Sequence, residues 1–130
     1  MTSTLISNNN HIHKLRFELP YMEYNFAEYD FEYDFTENIH KFFDALKSNT
    51  SLTHLDWHGN NYFIEEIFKV SHLVYLNLSH CSTIDTQAKV IAEALKDNTS
   101  LTHLDLGSLW TEEEESGLKT LAEALKFNET

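Results

Sequence analysis

The chain has 130 residues, of which 42% are hydrophobic, and its 21 Asp and Glu against nine Lys and Arg give a formal net charge of −12 at pH 7. This apolar content is enough for a packed interior and excludes wholesale disorder. The lack of clustered basic residues excludes a nucleic-acid or anionic-membrane surface, and the negative field favours a basic protein surface as partner.

The N-terminal stretch and the single cysteine indicate a compartment. The N-terminus lacks a basic segment followed by an apolar one, so no secretory signal peptide is visible, and no apolar run is long enough to span a bilayer. Cys81 has no partner for an internal disulfide, which fits a reducing compartment. We expect a cytoplasmic protein, with secretion by a non-standard route as the alternative. The four Asn-x-Ser/Thr triplets are then interpreted as repeat residues rather than glycan sites.

Residues 1–35 are predicted to form an atypical N-terminal unit. A weak strand pattern, Ile12-x-x-Leu15-x-Phe17, comes first. It is followed by the acidic, aromatic segment Tyr21–Phe35, whose pattern suits either a strand with one aromatic and one acidic face or an amphipathic helix. Two interpretations of this segment are open: a cap over the first unit, or a tyrosine-rich docking strip for a basic partner.

From residue 36 onward the chain repeats itself. The octapeptide NTSLTHLD stands at Asn49–Asp56 and returns at Asn98–Asp105, and a third partial copy, AEALKFNET, covers Ala122–Thr130. Upstream of each copy, apolar residues recur at i, i+3, i+4 and i+7, which predicts three amphipathic helices. Their apolar stripes are Ile39, Phe42, Phe43 and Leu46; Ala88, Ile91, Ala92 and Leu95; and Leu118, Leu121, Ala122 and Leu125.

A short strand is predicted after each of the first two helices. The patterns LxxLxW from Leu52 and LxxLxL from Leu101 alternate apolar and polar residues, as a half-buried strand does. Between them LVYLNLSHC, from Leu73, supplies a third strand, with Cys81 as a small inward residue. The 49-residue step between octapeptides thus divides into 21 and 28 residues. The shorter unit leaves room for only about two helical turns, around Phe63–Phe68.

These strand and helix motifs resemble leucine-rich repeats, and the 28-residue step with the wording LAEALKxNTSLTHLDL resembles their ribonuclease-inhibitor-like subclass. The resemblance covers residues 36–130. It implies an α/β solenoid of about three units, the last one incomplete, with a short parallel sheet on the concave side and helices on the convex side. Trp57 departs from the pattern by replacing a core leucine. The chain stops where the next strand is expected, so the last helix is predicted either to cap the array or to belong to a longer one.

In such strands the leucines point into the core and the intervening residues stand on the concave face. Parallel stacking predicts three ladders across that face: Lys14, His54, Tyr75 and His103; Arg16, Asp56, Asn77 and Asp105; and Glu18, His58, Ser79 and Gly107. The predicted partner-binding residues are His54, Asp56, His58, Tyr75, Asn77, His103 and Asp105. The expected function is recognition of a protein partner. The alternative is a structural repeat fragment of a longer leucine-rich-repeat protein with no binding function of its own.

We expect no catalytic site, no metal and no cofactor. The sequence has three glycines, no phosphate-binding loop, and neither a G-x-S-x-G nor an HExxH motif. His54 and His103 should lie two strand spacings apart, about 10 Å, and His54 and His58 about 13 Å apart along one strand. Both separations are too long for a shared zinc ion. The chain is therefore not expected to be an enzyme.

Overall fold

The computed structural model describes residues 11–18, 31–58, 63–79, 81, 85–107, 115–126 and 128. Strands and helices alternate along these residues. The strands are β1 (Lys14–Glu18), β2 (His54–His58), β3 (Tyr75–Asn77) and β4 (His103–Asp105), and the helices are α1 (Phe31–Ser48), α2 (Ile64–Phe68), α3 (Asp85–Asp97) and α4 (Glu115–Leu125). Of the segment Tyr21–Phe35, residues 31–35 are helical and open α1, while residues 21–30 lie outside the described residues. No described helix has the length and apolar character needed to cross a membrane.

The four strands form one parallel sheet in the order β1-β2-β3-β4, so each strand in turn is added at the same edge. The predicted mixed α/β class and parallel sheet are confirmed. The register also agrees with the first two predicted ladders: Lys14, His54, Tyr75 and His103 lie side by side, as do Arg16, Asp56, Asn77 and Asp105.

The third predicted ladder runs past the ends of the short strands. Glu18 pairs with His58, but Ser79 and Gly107 follow β3 and β4 rather than lying in them. Gly107 adopts a positive φ of 60°. A Cβ added at this glycine would lie 2.6 Å from the Cα of Ser79, so the two backbones approach closely only because residue 107 has no side chain.

The leucine face of the sheet packs against the helices. Leu55, Trp57 and Leu76 are at most 1% exposed and belong to one buried cluster with residues of α1 and α3. The Trp57 indole stacks on the ring of Phe17 at a centroid distance of 4.6 Å and contacts the Phe43 ring of α1 at 5.6 Å. The indole thus supplies apolar volume next to the unit whose short helix α2 buries only two isoleucines.

Cys81 is an inward residue, as predicted. It is 5% exposed, and its Sγ lies 3.6 Å from the backbone oxygen of Trp57. The thiol therefore behaves as a small core group.

The apolar stripes predicted for α1 and α3 are confirmed, because every member is buried except the half-buried Phe42. The third predicted helix is confirmed as α4, but only one of its four stripe residues is buried. Leu118 and Leu125 are 48% and 59% exposed and Ala122 is exposed, whereas Leu121 is buried. Helix α4 instead packs through Gly117, Leu121 and Ala124. The stripe of α3 is covered because α4 lies beside it, and among the described residues no further unit lies beyond α4.

The octapeptide is a joint between helix and strand. The N–H of Asn49 donates to the oxygen of Ala45 at 3.0 Å, which completes the last turn of α1. The Asn49 side-chain oxygen then accepts the N–H groups of Ser51 and Leu52, both at 3.0 Å, and turns the chain toward β2. The second copy repeats these bonds, with Asn98 bound to Ala94, Ser100 and Leu101.

The same octapeptide also ties each strand to the preceding one. Ser51 donates its hydroxyl to the oxygen of Ile12 at 3.0 Å, and the Thr53 hydroxyl lies 3.3 Å from the oxygen of His13. In the second copy the equivalent contacts are Ser100 with Leu73 at 2.8 Å and Thr102 with Val74 at 3.3 Å. The repeat in sequence is therefore a repeat in hydrogen bonding, and it fixes the register of β2 and β4.

Candidate partner-binding face

The side of the sheet away from the leucines is called the open face here. It carries Lys14, Arg16, Glu18, His54, Asp56, His58, Tyr75, Asn77, His103 and Asp105. These side chains are exposed or half-buried, and they alternate along each strand with the inward residues. All seven predicted partner-binding residues therefore lie on one surface.

A row of three aromatic rings crosses the open face. The ring centroids of His54 and Tyr75 lie 5.5 Å apart with an interplanar angle of 19°, and those of Tyr75 and His103 lie 6.2 Å apart at 32°. The strand spacing of about 4.8 Å brings these rings close enough to stack. The His54–Tyr75 pair is stacked, and the Tyr75–His103 pair is tilted. Cross-strand pairs of this kind contribute about 0.2–1 kcal/mol each.

The two histidines of this row are held by the threonines that precede them. The Nδ1 of His54 lies 2.8 Å from the hydroxyl oxygen of Thr53, and the Nδ1 of His103 lies 2.9 Å from that of Thr102. Each threonine hydroxyl also meets a backbone oxygen of the preceding strand segment. A hydroxyl has one proton, so all contacts are satisfied when it donates to the backbone and Nδ1–H donates to it. Each imidazole then directs Nε2 outward as an acceptor.

The β1 and β2 end of the open face carries a charged cluster. The Nε of Arg16 lies 2.7 Å from a carboxylate oxygen of Glu18 and 4.0 Å from one of Asp56. The Nε2–H of His58 donates to Asp56 at 3.0 Å, and its Nδ1 lies 3.4 Å from an Arg16 guanidinium nitrogen. The side chain of His58 is only 14% exposed. His58 thus serves mainly to order the two strand ends, and Asp56 enters any interface already paired.

The β3 and β4 end of the open face is less compensated. The side-chain oxygen of Asn77 accepts the N–H of Ser79 at 2.8 Å, and Asp105 accepts the N–H of Gly107 at 2.9 Å. Within the described part of the chain Asp105 makes no ion pair. This end therefore offers a carboxylate, an amide and imidazole acceptors, which suits a partner rich in hydrogen-bond donors.

Sequence reasoning missed the two threonines, although the signal was present. Both copies of the octapeptide place Thr directly before His, at Thr53-His54 and Thr102-His103. A dipeptide that occurs in both copies of a repeat is a candidate for a hydrogen bond between its two neighbouring side chains. Arg16 and Glu18 belong to the predicted ladders but not to the predicted site. Their contacts in the charged cluster depend on side-chain rotamers, which a sequence does not show.

A half-buried imidazole lies between α2 and β3. His72 occupies the place that Ser51 and Ser100 hold in the other units. Its Nε2 is buried without a hydrogen-bond partner, and burial lowers the pKa of this imidazole below its usual range.

A groove of about 590 Å³ runs between α2 and α3 on the helical side. Its lining mixes both signs of charge, with Glu65 and Lys69 from α2 and Lys89 and Glu93 from α3. Among the described residues, no three His, Cys, Asp or Glu side chains meet in a geometry that could hold a metal ion.

No protein-family model matches the sequence, and no curated protein matches it.

Proposed function

We propose that the chain is a leucine-rich-repeat solenoid of the ribonuclease-inhibitor-like class and that it binds a protein partner on its open face, the concave side of such a solenoid. Support for the class comes from the sequential parallel sheet and from the octapeptide, whose two copies make the same hydrogen bonds. The proposed site comprises His54, Asp56, His58, Tyr75, Asn77, His103 and Asp105.

The aromatic row of His54, Tyr75 and His103 is the observation that carries the binding proposal. Neighbouring rings contact one another, and the two histidines also contact the threonine hydroxyls. Side chains that are already ordered lose less conformational entropy when a partner binds, so such a row favours recognition over a merely solvated surface.

The partner proposed for this face presents basic side chains. The chain carries a net charge of −12, and the open face offers acceptors at Asp105, Asn77 and the two outward imidazole nitrogens. Arg and Lys supply donors and the opposite charge, and complementary charge speeds association.

The size of the face limits the affinity of this interaction. Four strands at about 4.8 Å spacing and three to five residues of length give a surface of roughly 20 Å by 15 Å, or about 300 Å². A standard interface buries about 800 Å² per partner. We therefore expect a weak, transient complex unless the partner also contacts neighbouring surfaces.

Affinity capture with a triple variant tests the proposal. His54→Ala/Tyr75→Ala/His103→Ala removes the aromatic row and should lose a partner that the unmodified chain retains. A matched control, Lys41→Ala/Glu65→Ala/Lys96→Ala, alters three exposed helix positions and should retain it. Circular dichroism establishes that both variants are folded. Equal capture by all three proteins would refute recognition through the open face, and capture of nothing would favour a purely structural repeat.

A further inference from the structure

The β4 end of the molecule exposes apolar residues that their counterparts bury. When α4 is aligned with α3 through the shared sequence AEALK, Leu118 and Leu125 correspond to Ala88 and Leu95. The α3 residues are 7% and 5% exposed, whereas Leu118 and Leu125 are 48% and 59% exposed. The outer stripe of α4 thus has the character of an interface between helices, but no described residue covers it.

The leucines of β4 show the same difference. Leu104 and Leu106 are half-buried, whereas their counterparts Leu76 and Leu78 in the neighbouring unit are 1% and 0% exposed. Within the described residues β4 pairs only with β3, so one side of its backbone has no strand partner. An edge of this kind is a ready template for pairing with another strand.

We propose that a second copy of this chain covers this end, with the two β4 strands paired antiparallel about a two-fold axis and the two α4 helices packed together. The strand sequence His103-Leu104-Asp105 favours this orientation. In an antiparallel pair centred on Leu104, each His103 lies opposite the Asp105 of the other copy, so an imidazole rather than a second carboxylate lies beside each Asp105.

A parallel neighbour carrying the same octapeptide is less favourable. The existing register would continue, which would set an aspartate directly beside Asp105 and a histidine beside His103. Inside the chain, Asn77 separates Asp56 from Asp105 and avoids the contact between like charges. The charge pattern of β4 therefore favours a symmetric copy over a further unit of the same wording.

The helices fit the same symmetry. A two-fold axis perpendicular to the sheet also makes the two α4 helices antiparallel, so Leu118 of one copy faces Leu125 of the other. These leucines are two turns apart, about 10 Å along the helix. Ala122 lies between them, near the axis, where a small side chain allows close approach. Such an interface is closed and stops at two copies.

Sedimentation velocity on the full chain tests the association. We expect twice the mass of one chain at high concentration, dissociation on dilution, and tighter association when NaCl is raised from about 0.05 M to about 0.5 M, because salt screens the repulsion between two acidic chains. Leu118→Gln/Leu125→Gln should weaken the dimer at least about tenfold without changing the thermal unfolding of the monomer. The control Lys89→Gln/Glu93→Gln, on the exposed side of α3, should dimerise like the unmodified chain. A monomer at every concentration would overturn the proposal.

Cysteine crosslinking tests the symmetry. Ala122→Cys places a thiol next to its own copy across the axis, so mild oxidation should give a covalent dimer and nothing larger. Lys89→Cys, at an exposed position on α3, should remain uncrosslinked, and the native Cys81 is only 5% exposed. Failure of Ala122→Cys to crosslink would refute the two-fold dimer. Open-ended oligomers in sedimentation would refute it too, because they would indicate a head-to-tail arrangement.

Discussion

Replacement of Asn49 by alanine should destabilise the protein more than any other asparagine substitution in the described joints. Asn49 is fully buried, and its side-chain oxygen accepts the N–H groups of Ser51 and Leu52, both at 3.0 Å. The Ser51 hydroxyl, which donates to the oxygen of Ile12, lies 2.9 Å from the same side-chain oxygen. Alanine removes the acceptor and leaves these donors unpaired in a buried place. At about 1.5 kcal/mol for each N–H that loses its acceptor, the free energy of unfolding should fall by about 3 kcal/mol.

The second copy supplies a matched comparison within the same molecule. Asn98 has the same sequence context, but it is half-buried and accepts only the N–H groups of Ser100 and Leu101. Water can replace part of what Asn98→Ala removes, so its cost should be about 1 kcal/mol. The two variants therefore separate burial from local sequence.

Urea unfolding followed by circular dichroism measures both effects. With a slope of about 2 kcal/mol per molar urea, Asn49→Ala should lower the unfolding midpoint by about 1.5 M and Asn98→Ala by about 0.5 M. Midpoint shifts of equal size would refute the assignment of the difference to burial. A shift below about 0.5 M for Asn49→Ala would show that the hydrogen bonds of Asn49 contribute less to stability than predicted.

Three further predictions concern single side chains. Burial lowers the pKa of His72 in the folded protein, so the unfolded chain binds more protons and stability should fall as the pH drops from about 7 to about 5. His72→Gln should make the urea midpoint less dependent on pH in this range, and an unchanged dependence would contradict the assignment. Trp57→Ala should cost about 3–5 kcal/mol, because a fully buried indole in contact with Phe43 leaves a cavity; a Tm change of only a degree or two would speak against this. Hydrogen bonds from Lys69 and Lys47 lower the pKa of Glu66, so the ion pairs stabilise the fold fully above pH 4.5 and progressively less as the pH falls through the lowered value. Glu66→Gln should therefore cost up to about 1 kcal/mol at about pH 7 and less at about pH 3, and an equal cost in urea titrations at both pH values would contradict the assignment.

The register of the sheet could be predicted because the octapeptide occurs twice. Leucines at fixed spacing locate the inward positions, and placing Leu52, Leu73 and Leu101 in line gives the ladders without further information. The short helix α2 followed from arithmetic, since a 21-residue step leaves no room for a longer one. Periodicity and spacing are properties of the sequence itself, so a single sequence is enough to detect them.

The exposure of α4 could not be predicted in the same way. Its stripe of Leu118, Leu121, Ala122 and Leu125 has the same spacing as the buried stripe of α3, and spacing does not say whether a neighbour is present. Burial is a property of two packed surfaces. The face that α4 uses, with Gly117 and Ala124, consists of small residues that add little to a hydrophobic pattern.

The candidate site was also predictable only in part. The positions of its seven residues followed from alternation along the strands, but the contacts among them depend on side-chain conformation. Arg16 contacts Glu18 and His58. The alternation of residues along the strands predicts that these side chains face a partner, but it does not predict that they contact one another.

The duplicated octapeptide also poses a problem while the chain folds. Both copies offer the same serine and threonine donors to a preceding strand, so Asn49–Asp56 and Asn98–Asp105 are interchangeable over eight residues. What tells them apart lies just outside: the residue after Asp56 is Trp57, and the residue after Asp105 is Leu106. The indole of Trp57 packs against Phe17, Phe42 and Phe43, whereas the helices α3 and α4 carry no aromatic residue. Trp57 thus favours the correct position of the first copy and disfavours a misfolded state in which the two copies are exchanged.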